Sequence, residues 1–162
     1  MTETPSAPEF ERPSAFPWPP VLFAGTIVAA WVLNLVVPLR WPGIDDPAAR
    51  IAGLGLGVVG IALFIWAVIT LRRAHTTVMP HAGSAVLVTN GPYRMRRNPI
   101  YLAEIFILLG LAELTKVIWL VILSPVFALL VIWLAILPEE RHLEARFGDA
   151  YRDYKERTRR LI

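Results

Sequence analysis

The chain has 162 residues, 56% of them hydrophobic and 18% charged, and its mean hydropathy is +0.53. A water-soluble domain carries about 45–50% apolar and about 25% charged residues, and a disordered chain needs low hydrophobicity, so both classes are excluded and one membrane-associated domain fits the length. There is no cysteine, which removes disulfides, thiolate metal sites and cysteine nucleophiles. The net charge of +3 reads, in so apolar a chain, as membrane orientation rather than nucleic-acid binding.

Residues 1–20 hold six prolines and have no basic stretch ahead of an apolar core. They predict a disordered tail without signal-peptide character. Four apolar stretches follow: Val21–Leu39, Ile51–Leu71, Ile100–Leu114 and Val117–Leu137. A bilayer core of about 30 Å needs about 20 apolar residues in a helix. The first, second and fourth meet that length. The third is shorter and carries Glu104 and Glu113, with Glu113 expected to be solvated beside Lys116. Thr115 and Lys116 alone separate stretches three and four, which predicts a tight helical hairpin. Twelve lysines and arginines fall in residues 72–97 and 141–160, against three (Arg40, Arg50 and Lys116) on the other side. The charge bias therefore puts both termini and the 72–98 loop in the cytoplasm of an inner or plasma membrane. The predicted fold is all-α, with four transmembrane helices.

Stretch two contains Gly53, Gly57 and Gly60 on one helical face, a small-residue pattern that allows close packing against another helix of the chain or a second copy. A homodimer through this face is one expectation. Past stretch two, Val86-Leu87-Val88-Thr89 is β-prone and ends in the turn signal Asn90-Gly91-Pro92. Asn98-Pro99 is a good N-cap and first-turn pair, so the third helix starts there with its free N–H groups toward the cytoplasm. Beyond the fourth stretch, Leu143, Phe147, Ala150, Tyr151 and Tyr154 recur at helical spacing. They predict an amphipathic helix, weakened at Gly148, that lies on the membrane or folds over the loop. Glu139 and Glu140 at the end of a span are costly without partners. Arg94, Arg96, Arg97 or a cationic ligand could serve. His75 and His81 lack metal-ligand spacing, no metal site is expected, and His142 is expected to face solvent.

Leu87-Val88-Thr89-Asn90-Gly91-Pro92-Tyr93, Arg97-Asn98-Pro99-Ile100-Tyr101, a hairpin, and Glu139-Glu140 followed by Phe147-Gly148, Tyr151, Tyr154 and Arg157 together resemble the isoprenylcysteine carboxyl methyltransferase family. The phospholipid N-methyltransferases share this module. The resemblance covers residues 85–157, within a single membrane domain over 21–162. It implies an S-adenosylmethionine site. Ala85, Val86, Leu87 and Val88 would line the cofactor, with Tyr93 from the turn and Asn98, Pro99, Ile100 and Tyr101 from the signature. Glu139 would meet the cofactor's methionine moiety. Two positions depart from the pattern. Asn98 replaces a histidine and cannot titrate near neutral pH. Ala135 stands where isoprenylcysteine enzymes carry a substrate-contacting arginine, which speaks against a prenylcysteine carboxylate.

Methyl transfer from a sulfonium needs no metal and no covalent enzyme intermediate; it needs the nucleophile held about 3–3.5 Å from the methyl carbon. Glu139 can partner the donor's ammonium group, while Leu87, Tyr93 and Tyr101 can wall its adenine. Arginine or the Asn98-Pro99 helix start can take its carboxylate. Glu104, a carboxylate one turn inside an apolar helix, is a candidate general base, with Arg97 as a catalytic neighbour or as its salt-bridge partner. The acceptor would be lipophilic: an isoprenoid-type carboxylate or thiol, or a phospholipid amine. An NADPH-binding membrane reductase related to sterol reductases and a non-catalytic membrane partner are the competing readings.

Overall fold

The computed structural model describes residues 18–41, 47–74 and 86–161. Most of the tail over 1–20, together with Ala85, His75 and His81, lies outside them. Among the described residues the regular structure is helical: α1 (Trp18–Val36), α2 (Pro47–Arg73), a 3₁₀ turn (Gly91–Arg94), α3 (Pro99–Thr115), α4 (Ile118–Val131), a π turn (Ile132–Ile136), α5 (Leu137–Phe147) and α6 (Asp149–Arg157). The β-prone run Val86–Thr89 forms no strand. Among the described residues there is no neighbouring strand to pair with it.

Three helices are long and apolar enough to cross a membrane: Trp18–Val36, Pro47–Arg73 and the continuous run Ile118–Phe147. Their outward residues are apolar, as with Leu35 (79% exposed), Ile51 (73%) and Trp133 (68%), the pattern of a surface that faces lipid rather than water. α1 starts three residues earlier than the proline tail implies. Pro19 and Pro20 sit in its first turn, where a missing N–H costs nothing.

α2 and α3 run antiparallel and pack backbone to backbone. A Cβ built on Gly110 would lie 2.3 Å from the Gly57 Cα, one on Gly60 would lie 2.8 Å from the Ala103 carbonyl, and one on Gly53 would lie 2.7 Å from the Glu113 Cγ. The glycine face of α2 is thus filled by α3 of the same chain. That corrects the homodimer expectation, since the face is not available to a second copy. Only Lys116, in the left-handed region, and Val117 separate α3 from α4. Trp119 Nε1 donates to the Val37 carbonyl at 2.8 Å, tying the start of α4 to the end of α1. The core joins Ala30, Tyr101, Leu108, Ala112, Leu120, Phe127, Val131, Ile136 and, from the tail, Leu161.

The fourth apolar stretch does not end at Leu137. The helix continues through the π turn into α5, and Pro138 is absorbed just past that turn, where the widened hydrogen-bond pattern accommodates its missing donor. The break comes at Gly148, whose φ of +52° suits glycine.

Candidate functional site

The site is built where the 90–101 segment meets α5 and the C-terminal tail. Gly91 adopts a φ of +56°, and a Cβ there would lie 2.8 Å from Thr70 Oγ1, so the turn seats directly on the end of α2. That seating buries Pro92 and Tyr93. Pro99 at the first position starts α3, but Asn98 makes no side-chain cap. Its Nδ2 instead donates to the Arg160 carbonyl at 3.1 Å.

The tail folds back over this segment. Arg97 N donates to the Arg159 carbonyl at 2.9 Å and Arg159 N to the Met95 carbonyl at 3.4 Å, a parallel backbone bridge. Tyr154 donates its hydroxyl to the Tyr93 carbonyl at 2.7 Å. Arg97 is engaged throughout: Nε to Glu140 Oε1 at 3.2 Å, and Nη1 to the carbonyls of Lys155 and Thr158. Arg160 reaches the same carboxylate, with Nη2 2.7 Å from Glu140 Oε2. The Arg97 and Glu140 side chains are each less than one-tenth exposed. A buried carboxylate held by two guanidinium groups is a well-satisfied arrangement, and removing Arg97 would leave Glu140 to Arg160 alone and two tail carbonyls without their donor. This geometry moves Arg97 away from the salt bridge to Glu104 allowed by the sequence. It ties loop to tail.

Glu139 is the neighbour of Glu140 on α5, about 100° further round the helix. Among the described residues it makes no hydrogen bond and no ion pair, so the arginine partners expected for it belong to Glu140 instead. Its carboxylate lies within electrostatic reach of the Tyr93 and Tyr101 hydroxyls. Glu104 is in turn within reach of Tyr101. It is buried, and its Oε2 has no hydrogen-bond partner. His142, one turn beyond Glu139, has a buried Nε2 that is also without a partner, contrary to the expected solvent contact. Burial first, then Glu139 and Tyr154, push the Tyr93 hydroxyl far above its ordinary range. Tyr93 is therefore a neutral hydrogen-bonding wall.

Tyr93 from the turn, Glu104 from α3 and the half-buried Glu139 from α5 thus all act electrostatically on Tyr101. Pro99 is buried beneath them and Ile100 is half-buried. Leu87 and Val88 are half-buried on the approach to the turn, whereas Val86 is exposed. The roles of Thr158 and Arg160 escaped sequence reasoning, since nothing in their spacing marks them. The described residues contain no group of three His, Cys, Asp or Glu side chains able to hold a metal ion.

Residues 48–150 match the phospholipid methyltransferase family. The chain belongs to that family. The match takes in α2, which the motifs of the sequence did not cover, and extends through the turn, α3, α4 and α5. The nickel-cobalt-cadmium resistance protein NccN of Alcaligenes xylosoxydans xylosoxydans is 31% identical over 119 residues, or 70% of this chain and 51% of that protein. The chain spans about half the length of this relative. No solved structure matches. Membership in the phospholipid methyltransferase family makes methyl transfer the activity against which the Glu139 cluster has to be read.

Proposed function

We propose that the protein is an integral membrane methyltransferase that uses S-adenosylmethionine and a lipophilic acceptor. The single observation that supports this reading most is the contrast within the Glu139–Glu140 pair. One carboxylate is locked by two arginines, and the other stands without a protein cation beside two buried tyrosines. A carboxylate in such surroundings calls for a cationic ligand, and the donor's ammonium group is one. The residues present therefore fit the cofactor.

Bound there, S-adenosylmethionine supplies an electrophilic methyl group. Glu139 holds the ammonium group. Tyr93 and Tyr101, with Leu87 and Val88 and with Val86 ahead of them, wall the adenine side; Ala85 lies outside the described residues. Asn98, Pro99 and Ile100 set the start of α3, whose free N–H groups favour a carboxylate. Glu104 takes a proton from an amine, hydroxyl or thiol acceptor, its unpartnered oxygen being free to accept it. Arg97 is a positioning residue: by fixing Glu140 it fixes the rotation of α5 and hence the direction of Glu139. The acceptor is either a phospholipid amine or an isoprenoid-type carboxylate or thiol, entering from the lipid side.

In this reading α1, α2, the α3–α4 hairpin and its continuation make four spans within one domain over residues 21–162. Residues 85–157 form the cofactor-binding module, and the arginine-rich end with both termini lies in the cytoplasm. Titration calorimetry of the detergent-solubilised protein tests the reading. S-adenosylmethionine is expected to bind and NADPH is not. Binding of NADPH alone, or of neither, contradicts it.

A further inference from the structure

A second polar site lies at the Asn90–Gly91 turn, with Tyr93 not among its lining residues. Between that turn and the last two turns of α2 is a hollow of about 290 Å³, lined by Trp66, Thr70, Arg73, Ala74, Asn90 and Gly91. Trp66, Thr70 and Arg73 are spaced four and three apart, so one face of α2 supplies them. The Trp66 indole presents its N–H edge to the turn: Nε1 lies 3.5 Å from where a Gly91 Cβ would be. Thr70 donates its hydroxyl to the Trp66 carbonyl at 2.8 Å and is already engaged. The Arg73 guanidinium, the Trp66 N–H and the Asn90 amide have no acceptor among the described residues. Among the described residues no acidic side chain lines the hollow.

Three unengaged donors, one of them a full positive charge, converge on a space without a carboxylate. The opposing effect is the end of α2 itself, where unpaired carbonyls amount to roughly half a negative charge. Ala74 N–H satisfies part of that end by donating to the carbonyls of Thr70 and Leu71. The full positive charge of Arg73 then outweighs the remainder. An anion is the ligand this balance accepts.

The surroundings say what carries the anion. Along the same face of α2, leading into the bundle's apolar zone, Val59, Ala62 and Trp66 are exposed, with Ile69 beside them. Val59 to Arg73 spans about 21 Å of helix, roughly the hydrocarbon of one leaflet plus its polar margin. Arginine and tryptophan at such a margin are the usual partners of lipid headgroups. We propose that the hollow holds the phosphate group of a membrane lipid whose acyl chain lies against Val59, Ala62 and Trp66. The occupant braces the turn that leads into Tyr93. The inference concerns binding alone and stands apart from methyl transfer.

Native mass spectrometry of the full chain released from neutral detergent tests it, with phosphatidylglycerol, diacylglycerol and inorganic phosphate offered in parallel. One phosphatidylglycerol is expected to be retained. Combining Arg73→Gln with Asn90→Ala is expected to lower the retained fraction at least fivefold. Arg72→Gln, next in sequence but outside the hollow, is expected to leave it unchanged. Arg73 and Asn90 are exposed, so the double variant should keep the wild-type melting temperature. Unchanged retention in the double variant overturns the proposal. Equal retention of diacylglycerol does so as well, because the phosphate is then not recognised. Displacement of the lipid by inorganic phosphate at equal concentration would make this a free-ion site. An equal loss in Arg72→Gln would mean diffuse charge rather than a site.

Discussion

The two ends of α3 carry the same chemistry in opposite states. Glu113 and Glu104 are equally buried, each 7% exposed, and lie about 13 Å apart along one helix. Glu113 pairs with Lys116, whose ammonium also lies 5.0 Å from the Trp41 ring centroid, and the absent Cβ of Gly53 leaves it room. Glu104 has an oxygen with no partner. One step across the site, Glu140 and Glu139 repeat the contrast. The lesson is that this fold neutralises its buried carboxylates where they serve architecture. The two without a protein cation, the buried Glu104 and the half-buried Glu139, both act electrostatically on Tyr101.

Breaking the architectural side should have the largest effect. Arg97→Ala removes a buried guanidinium from Glu140 and from two tail carbonyls. Arg160 stays on Glu140, so the expected loss is that of the charge-assisted hydrogen bonds, about 3 kcal/mol, read as a lowered melting temperature in detergent and early proteolysis of residues past Gly148. An unchanged melt would mean that the clamp does not hold the tail.

The comparison along α3 is sharpened by matched substitutions. Glu104→Gln should lower methyl transfer to lipid extracts about a hundredfold, the lower end for a general base, while sparing stability and cofactor affinity. Glu113→Gln should do the reverse, costing about 1–3 kcal/mol of stability with turnover retained. A stability loss in Glu104→Gln equal to that in Glu113→Gln would remove the distinction.

A smaller effect concerns alkali. Burial raises the Tyr93, Tyr151 and Tyr154 hydroxyls above their ordinary range. The folded state therefore keeps protons that the unfolded chain releases above about pH 10, and stability should be full below that pH and fall as pH rises beyond it. Absorbance at tyrosinate wavelengths should rise only together with unfolding. A rise from the folded protein would contradict the packing of the tail.

Much of this was legible in the residues. The apolar stretches located the helices to within a few positions, because lipid-facing surface must be apolar all along. The glycine face of α2 announced close packing, and the Asn90-Gly91-Pro92 turn and the Glu139-Glu140 pair marked the site. What escaped was relational. The π turn over Ile132–Ile136 adds a residue to the helix and so rotates all that follows; no residue type signals it, yet it decides that Glu140 faces the arginines and Glu139 the tyrosines. The β-prone run had no partner strand. Asn98 makes no side-chain cap, and its amide donates to the Arg160 carbonyl of the returning tail. The choice of Glu140 over Glu139 by Arg97 and Arg160 depends on that fold-back, which spacing alone does not specify.

Cofactor affinity and melting temperature measured side by side for Glu139→Gln and Glu140→Gln test the contrast most directly. For Glu139→Gln the account predicts S-adenosylmethionine binding weakened at least tenfold with an unchanged melt. For Glu140→Gln it predicts a clearly lowered melt. Wild-type affinity in Glu139→Gln, with the protein fully folded, would contradict it.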